Sequence, residues 1–419
     1  MGRHLIIFAC MLWGMGQALA QDFAEDLKNN PGKSASNHRS YEFVESELTP
    51  TPKGYKAFYI SHYSRHGSRY HTSERYFNRC MPQMAVCDSL GLLSEQGKAW
   101  YNEAKIVMQE HQNMFGMLTT LGTQEQDGIG RRIYERFPEV FAGKNGRVEV
   151  RNRSTRVQRS IVSMASFNTA IAKKAPSLKF SYAAGDKYRE YLNADGADYQ
   201  ALSRFKDQVE ASMKHLINTD RVYQMLFNNP ESALKATGDP YSFAKGIFYV
   251  TGISPNTDAH PDMFGYFHPE DLYGYWCIRN NGFYAGYANS LEMAEQVATI
   301  ARPLIADIIV KAEEALKDGS RLAADFRFGH DTGLLPLVAT IGIKGMEQKW
   351  SAYEAHKHWS SSEMIPMASN LQMIFYRNKK GDILVKLLYN EKETAIPALK
   401  PECGPYYKWS ILKDYLLTL

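Results

Sequence analysis

The run Tyr55-Lys56-Ala57-Phe58-Tyr59-Ile60 is short, dense in aromatic side chains, and reads as a buried β-strand. It leads into Ser64-Arg65-His66-Gly67-Ser68-Arg69. A strand that empties into a glycine-bearing loop and then a helix is the usual place for a site in an open α/β sheet. The pattern recurs twice. Arg147 to Val150 reads as a second strand, running into Arg153-Ser154-Thr155-Arg156-Val157-Gln158-Arg159 and an apolar helix from about Ile161. Phe326-Arg327-Phe328-Gly329 reads as a third, ending at His330-Asp331. The fold class is therefore α/β.

Other segments fill in around these strands. Residues 21–52 are polar, rich in Asn, Ser and Pro, and read as a loosely ordered arm. Residues 94–115 are helical in pattern. Thr123-Gln124-Glu125-Gln126 has the form of a capping box, and Ile129, Ile133 and Phe137 behind it make one apolar helix face. The middle of the chain, roughly 175–285, is dense in Tyr, Asn and Asp and reads as an inserted, mainly helical lobe of short helices. Residues 287–316 read as a long helix that Pro303 should kink or split. Leu371–Tyr376 and Ile383–Tyr389 flank Asn378-Lys379-Lys380-Gly381-Asp382, a hairpin signal. The expected organisation is a discontinuous core, 21–165 with 290–419, and a lobe, 166–289.

A chain of 419 residues can bury a large core. Its net charge of +4 argues against a general nucleic-acid binder, so any polyanion site must be a local pocket. At the N-terminus, Arg3 and His4 precede the apolar run Leu5 to Met15, too short to span a bilayer. Ala18-Leu19-Ala20 resembles a cleavage site, so residues 1–20 read as a signal peptide and the mature chain of an exported, periplasmic or secreted protein starts at Gln21. The alternative is a lipoprotein anchored at Cys10. No later stretch is long and apolar enough for a transmembrane helix. Cys80, Cys87, Cys277 and Cys403 remain after cleavage, compatible with two disulfides or with free thiols. No zinc-type spacing occurs, and neither metal nor cofactor is expected.

Arg65 and Arg69 offer planar forks of donors that can grip one tetrahedral anion. His66 between them can attack phosphorus as a neutral imidazole, and Gly67 lets the backbone approach the phosphate closely. His330 and Asp331 add a phosphate-binding imidazole and a carboxyl able to protonate a departing alkoxide. Arg159, at a strand-to-helix turn, sits where anions bind well. Arg153 and Arg156 are weaker candidates for the same role.

These three constellations, in this order and each at a strand end, resemble the histidine acid phosphatases, branch two of the histidine phosphatase superfamily. Leu118-Thr119, Leu121-Gly122 and Gln126 look like that family's helix start, and Pro366 to Leu371 with Leu388-Tyr389-Asn390-Glu391 look like its closing strands. Arg69-Tyr70 and Leu388 to Lys392 are similar to the multiple inositol polyphosphate phosphatases and phytases. Two departures stand out. The family loop usually continues to a proline where this chain has His71, and many inositol polyphosphate phosphatases carry His-Ala-Glu where this chain has His330-Asp331. The resemblance implies a three-layer α/β/α sandwich around a mostly parallel sheet, with the lobe setting substrate choice. It implies His66 as nucleophile, Asp331 as proton donor, and Arg65, Arg69, Arg159 and His330 around the scissile phosphate, with no metal. The substrate would be a small phosphorylated molecule, an inositol polyphosphate such as phytate, or alternatively a sugar phosphate or nucleotide. A non-catalytic phosphate-binding protein on the same fold is a further alternative. His71, Arg75, Lys187, Arg189 and Arg279 are available as additional substrate contacts.

Overall fold

The computed structural model describes residues 23–143, 146–194 and 196–419. The expected signal peptide, its cleavage site and Cys10 lie outside the described residues. Eight strands form one sheet: β1 (Lys56–Arg65), β2 (Glu149–Ser154), β3 (Lys179–Ala184), β4 (Leu322–Gly329), β5 (Asn370–Arg377), β6 (Ile383–Tyr389), β7 (Lys392–Thr394) and β8 (Tyr406–Lys408). Helices α1 (Phe23–Asn29), α2 (Glu95–Glu110), α3 (Thr120–Arg136), α4 (Gln158–Lys174), α5 (Pro240–Ile253), α6 (Pro269–Tyr287), α7 (Ala294–Leu316) and α8 (Asp331–Ile341) surround it, with shorter helical turns between.

The sheet order is β3-β2-β4-β1-β5-β6-β7, with β8 on β6. The first four strands of that order are parallel, and the hairpin β5–β6 closes the sheet antiparallel to β1. Register places the site. Arg65 pairs with Gly329 across β1 and β4, and Ser154 pairs with Phe328 across β2 and β4, so three strands end flush at their carboxyl ends. On one face, Ile129, Ile133, Phe167 and Ile171 of α3 and α4 pack on Ile60, Val150, Phe326 and Phe328. On the other, Leu304 and Ile308 of α7 and Leu334 of α8 pack on Tyr59, Tyr63 and Phe375. This is the three-layer sandwich.

Several local expectations are corrected. β1 runs on from the aromatic stretch as far as Arg65, and β2 starts two residues later than expected and reaches Ser154. The helix cap is Thr119, whose hydroxyl accepts from Gly122 N–H at 3.2 Å, rather than Thr123. Gln126 instead turns inward and donates to Arg65 O at 2.9 Å. β3 pairs with β2 in the sheet and α4 packs on its face, so the segment from 166 to 184 lies with the sheet rather than apart from it. The lobe's own core also recruits earlier chain: Met84, Leu93 and Trp100 pack with Phe243, Phe248 and Trp276, because the 81–110 helices are too apolar on that side to stay uncovered. Nor are its helices all short; α6 is buried almost along its whole length. α7 starts at Ala294, and Pro303 does not split it. Cys80, Cys87, Cys277 and Cys403 are free thiols, the first three buried.

The polar arm differs most from expectation. After α1 it continues as a 3-10 stretch, Pro31–His38, in which Ser34 to His38 are buried. It laces lobe to core: Asn256 Nδ2 donates to His38 O at 3.0 Å, and Met367 N–H donates to Arg39 O at 2.8 Å. No helix among the described residues is long and apolar enough to cross a membrane.

Candidate active site

His66 follows the last residue of β1, and its backbone is pinned on both sides. Its N–H donates to Gly329 O at 3.0 Å and its carbonyl accepts from Ala368 N–H at 2.9 Å. The ring is fixed too, with Nδ1 lying 2.8 Å from Gly67 O. A carbonyl can only accept, so Nδ1 carries the proton and Nε2 keeps its lone pair. Burial, followed by Arg159, Arg65, His330 and Arg69, holds the imidazole well below the ordinary histidine range. It is therefore neutral and nucleophilic even in acid.

Gly67 is required by packing on α3. A Cβ there would come within 2.3 Å of Gly122 O, and one on Gly122 within 2.1 Å of Ser68 O. The expected approach of Gly67 to phosphate is thus an approach to another glycine. Beneath the loop, Glu125 accepts from Ser68 N–H at 2.6 Å, Ser68 Oγ at 2.7 Å and Tyr41 N–H at 2.7 Å. Burial pushes its carboxyl up to about 7 against these hydrogen bonds.

Three guanidiniums converge on the site. Arg65 is buried; its Nη1 donates to Asn37 O and Ile365 O, both at 2.7 Å. Its Nη2 lies 2.9 Å from Asp331 Oδ2, close enough to pair as charges though not aligned as a hydrogen bond. Arg69 Nη1 donates to Tyr70 O at 3.0 Å, and Arg159 Nη1 to Gly116 O at 3.2 Å. Burial and mutual repulsion press Arg69 down to about 9; burial, with repulsion from Arg65, brings Arg159 to about 10. The buried Nε–H groups of all three find no acceptor among the described residues. Orphaned charged donors are costly, and an anion between them removes the cost.

His330 faces His66 edge-on, ring centroids 5.5 Å apart. Arg159 Nη2 donates weakly to its Nδ1 at 3.5 Å, so Nε2–H donates to Thr155 Oγ1 at 3.1 Å. Tyr63 fixes this turn: His330 N–H donates to Tyr63 Oη at 3.3 Å, and a Cβ on Gly329 would meet that oxygen at 2.1 Å. Asp331 opens α8. Its Oδ1 accepts from Thr332 N–H at 3.0 Å and its Oδ2 from Asn37 Nδ2 at 3.0 Å. Burial pushes this carboxyl up, but Arg65, Arg69, the Asn37 amide and His330 outweigh it and hold it at about 2.

The additional contacts divide sharply. Arg279 is buried and reaches the site through Asn37, its Nη2 lying 3.1 Å from Asn37 Oδ1. His71 is fully buried, stacked on Tyr76 at 4.3 Å, with Nε2 donating to Tyr249 O at 2.9 Å. Its ring is packed in an aromatic group, and its Nδ1 finds no partner among the described residues. Arg75, Lys187 and Arg189 are exposed: Arg75 lines a shallow surface cavity with Arg79 and Asp239, Lys187 lies over the Tyr188 ring, and Arg189 borders a groove with Glu190 and Asp198. Arg153 and Arg156 pair instead with Asp325 and Asp186. Asn37, Glu125, Thr155 and Tyr63 went unread as site residues. Only Glu125, beside the inward-turning Gln126, had a local signal.

The geometry agrees with comparisons to known proteins. The family model described as histidine phosphatase superfamily (branch 2) matches residues 63–390. A comparison with curated proteins finds no match. The solved multiple inositol polyphosphate phosphatase of Bifidobacterium longum, complexed with inositol hexasulfate, is similar over 92% of this chain and 97% of its own, at 20% identity and TM-score 0.76. The phytase from D. castellii is similar over 92% of this chain and 84% of its own, at 12% identity and TM-score 0.66. A Hafnia alvei phytase, complexed with myo-inositol hexakis sulphate, is similar over 88% and 98%, at 12% identity and TM-score 0.54. At these identities the likeness is one of fold. The match over most of the chain settles the lineage: the chain belongs to the histidine phosphatase superfamily, branch 2, and is a phosphomonoester hydrolase.

Proposed function

We propose that the protein is an exported acid phosphatase that removes phosphate from inositol polyphosphates through a phosphohistidine at His66. The observation that carries the mechanism is the His66 tautomer, with Nδ1–H on Gly67 O and Nε2 free beside three guanidiniums. Nε2 attacks phosphorus in line, the P–O ester bond breaks, and the Asp331 carboxyl gives its proton to the departing alkoxide. Arg65, Arg69 and Arg159 hold the phosphoryl oxygens as charge redistributes, joined by His330 as its Nε2–H turns from Thr155 Oγ1 to the phosphate. Water then attacks phosphorus, Asp331 takes the water's proton, the N–P bond breaks and phosphate leaves. Arginines supply here the charge that metal ions supply in other phosphoryl-transfer enzymes.

The substrate class rests on the fold shared with enzymes named for inositol polyphosphates and phytate, two of them holding hexasulfated inositol. Arg279, buried beside the site, is already paired with Glu210 at 3.4 Å and with Asn37, so further phosphate groups would have to be met by other cations. Export rests on the sequence of residues 1–20. Phosphate release at acidic pH, with EDTA present, from phytate, glucose 1-phosphate and an aryl phosphate tests the reading. Phytate should be preferred, and His66→Ala should remove ~10⁴-fold or more of the rate. Full activity of that variant would sink the mechanism; preference for glucose 1-phosphate would sink the substrate.

A further inference from the structure

The Asp331 carboxylate is held by a residue that neither the strand ends nor the lobe supplies. Asn37 comes from the N-terminal arm, almost at the opposite end of the chain, and is buried. It makes three contacts. Its backbone carbonyl accepts from Arg65 Nη1 at 2.7 Å, its Nδ2 lies 3.0 Å from Asp331 Oδ2, and its Oδ1 lies 3.1 Å from Arg279 Nη2. Arginine can only donate, so the amide oxygen must face Arg279 and the amide N–H must face Asp331. The amide therefore cannot flip without losing both partners.

The arm holds Asn37 against backbone cost. Ser36 adopts φ 57°, ψ −128°, a left-handed region that non-glycine residues avoid, and its Oγ sits 2.6 Å from Ser361 Oγ. Lys33 ties the arm to Glu363 at 2.9 Å. Strain kept next to a polar contact with the site is the arrangement expected of a positioning element.

We propose that Asn37 is a positioning residue for the proton donor: its amide N–H holds the Asp331 carboxyl in place, and Arg279 fixes which way that amide faces. The inference rests on Asp331 being the donor. A hydrogen bond to the ionised form favours that form, so Asn37 also helps to set when Asp331 gives up its proton. The other groups acting on Asp331 are Arg65, Arg69, Arg159, His330, Tyr63 and Tyr287. All remain in a variant at position 37.

The test uses the full chain and single-turnover phosphate transfer from two substrates. Glycerol 2-phosphate leaves as a basic alkoxide and needs a proton; p-nitrophenyl phosphate leaves as a phenolate and needs one far less. In Asn37→Leu the rate on glycerol 2-phosphate should fall about tenfold, a share of the ~10²–10⁴ a positioned acid contributes, with a loss on the aryl ester below about threefold. At saturating glycerol 2-phosphate the alkaline limb reports the proton held on Asp331 within the complex, and it should rise by about one pH unit. Asn37→Asp keeps the acceptor for Arg279 and is nearly isosteric, so it carries the test if the leucine variant does not fold. Its limb should move further upward, since a like charge now faces Asp331. Equal losses on both substrates with an unmoved limb would overturn the proposal. Asp331→Asn, measured alongside, separates the two levels: wild-type turnover of glycerol 2-phosphate there would sink the donor assignment itself, whatever Asn37 does.

Discussion

Arg65 Nη2 stands 2.9 Å from Asp331 Oδ2, so the guanidinium beside the proposed nucleophile and the proposed proton donor are charge partners. With its carboxyl held at about 2, Asp331 is ionised across the working range of an acid phosphatase. The proton must then arrive with the substrate. A phosphomonoester monoanion meeting the Asp331 carboxylate is protonically equivalent to a dianion meeting the acid. The arriving anion also takes Arg65 and Arg69 as its own partners, which raises the proton affinity of Asp331.

That equivalence fixes the pH profile. The second ionisation of a phosphate ester lies near pH ~6, so kcat/KM on an alkyl phosphate should fall about tenfold per unit above it. Below pH 6 it should stay level until Asp331 itself takes up a proton near pH 2. Initial rates between pH 3 and pH 8 check this. A plateau extending to pH 8 would show that the proton comes from elsewhere.

Gly122 lies far along the chain from His66, yet the loop bearing this proposed nucleophile rests on it. In Gly122→Ala a Cβ 2.1 Å from Ser68 O forces the two backbones apart. Turnover should fall by about 10²-fold or more, because misplacing a reacting atom by about 1 Å costs that much. Binding of inorganic phosphate should weaken in parallel, measured by calorimetry.

Above pH 7, where its carboxyl is ionised, Glu125 serves as an acceptor only, for Ser68 N–H, Ser68 Oγ and Tyr41 N–H. In Glu125→Gln one of those positions must become an NH₂ group facing another donor. The unmet backbone donor should cost about 1–3 kcal/mol in urea unfolding. Ser68→Ala, which removes only the hydroxyl, should cost less. Equal stability of wild type and Glu125→Gln would mean the carboxyl is not the anchor.

His62 is buried among Phe167, Phe326 and Phe328, and neither ring nitrogen finds a partner among the described residues. Burial, with Arg327, lowers it from 6.5 to about 3. The unfolded chain therefore binds the proton first, and stability falls as pH drops from 6.5 toward 3, by about 1.4 kcal/mol per unit. His62→Phe should gain about 1 kcal/mol at pH 7, with the advantage widening by about 2 kcal/mol at pH 5. The same advantage at both pH values would contradict this.

Features carried by neighbouring residues were legible in the sequence. Arg65-His66-Gly67, His330-Asp331 and Arg159 each announce themselves within a few positions of a strand, and the strands are marked by apolar runs. What stayed hidden depends on distant partners. Nothing local in Ser36-Asn37-His38 distinguishes a site wall from a polar arm, because its partners are Arg65, Arg279 and Asp331. His71 lies two residues past Arg69, a spacing that suits a pocket rim, but the loop turns its ring into an aromatic group whose other members come from residues 76, 111 and 249. Gln126 looked like a cap because its composition fits one, while the true cap at Thr119 was set by where the helix meets the nucleophile loop.

The flush ends of β1, β2 and β4 have a consequence for how the protein comes to life. In the proposed mechanism, the pieces numbered 66, 159 and 331 must meet, with 37 beside them, before an alkyl phosphate turns over at full rate, and the sequence between them must already be arranged. Closing such long intervals is the slow part of folding. On refolding from urea, the first turnover should report the last of those closures, a clock that starts only when the molecule is whole.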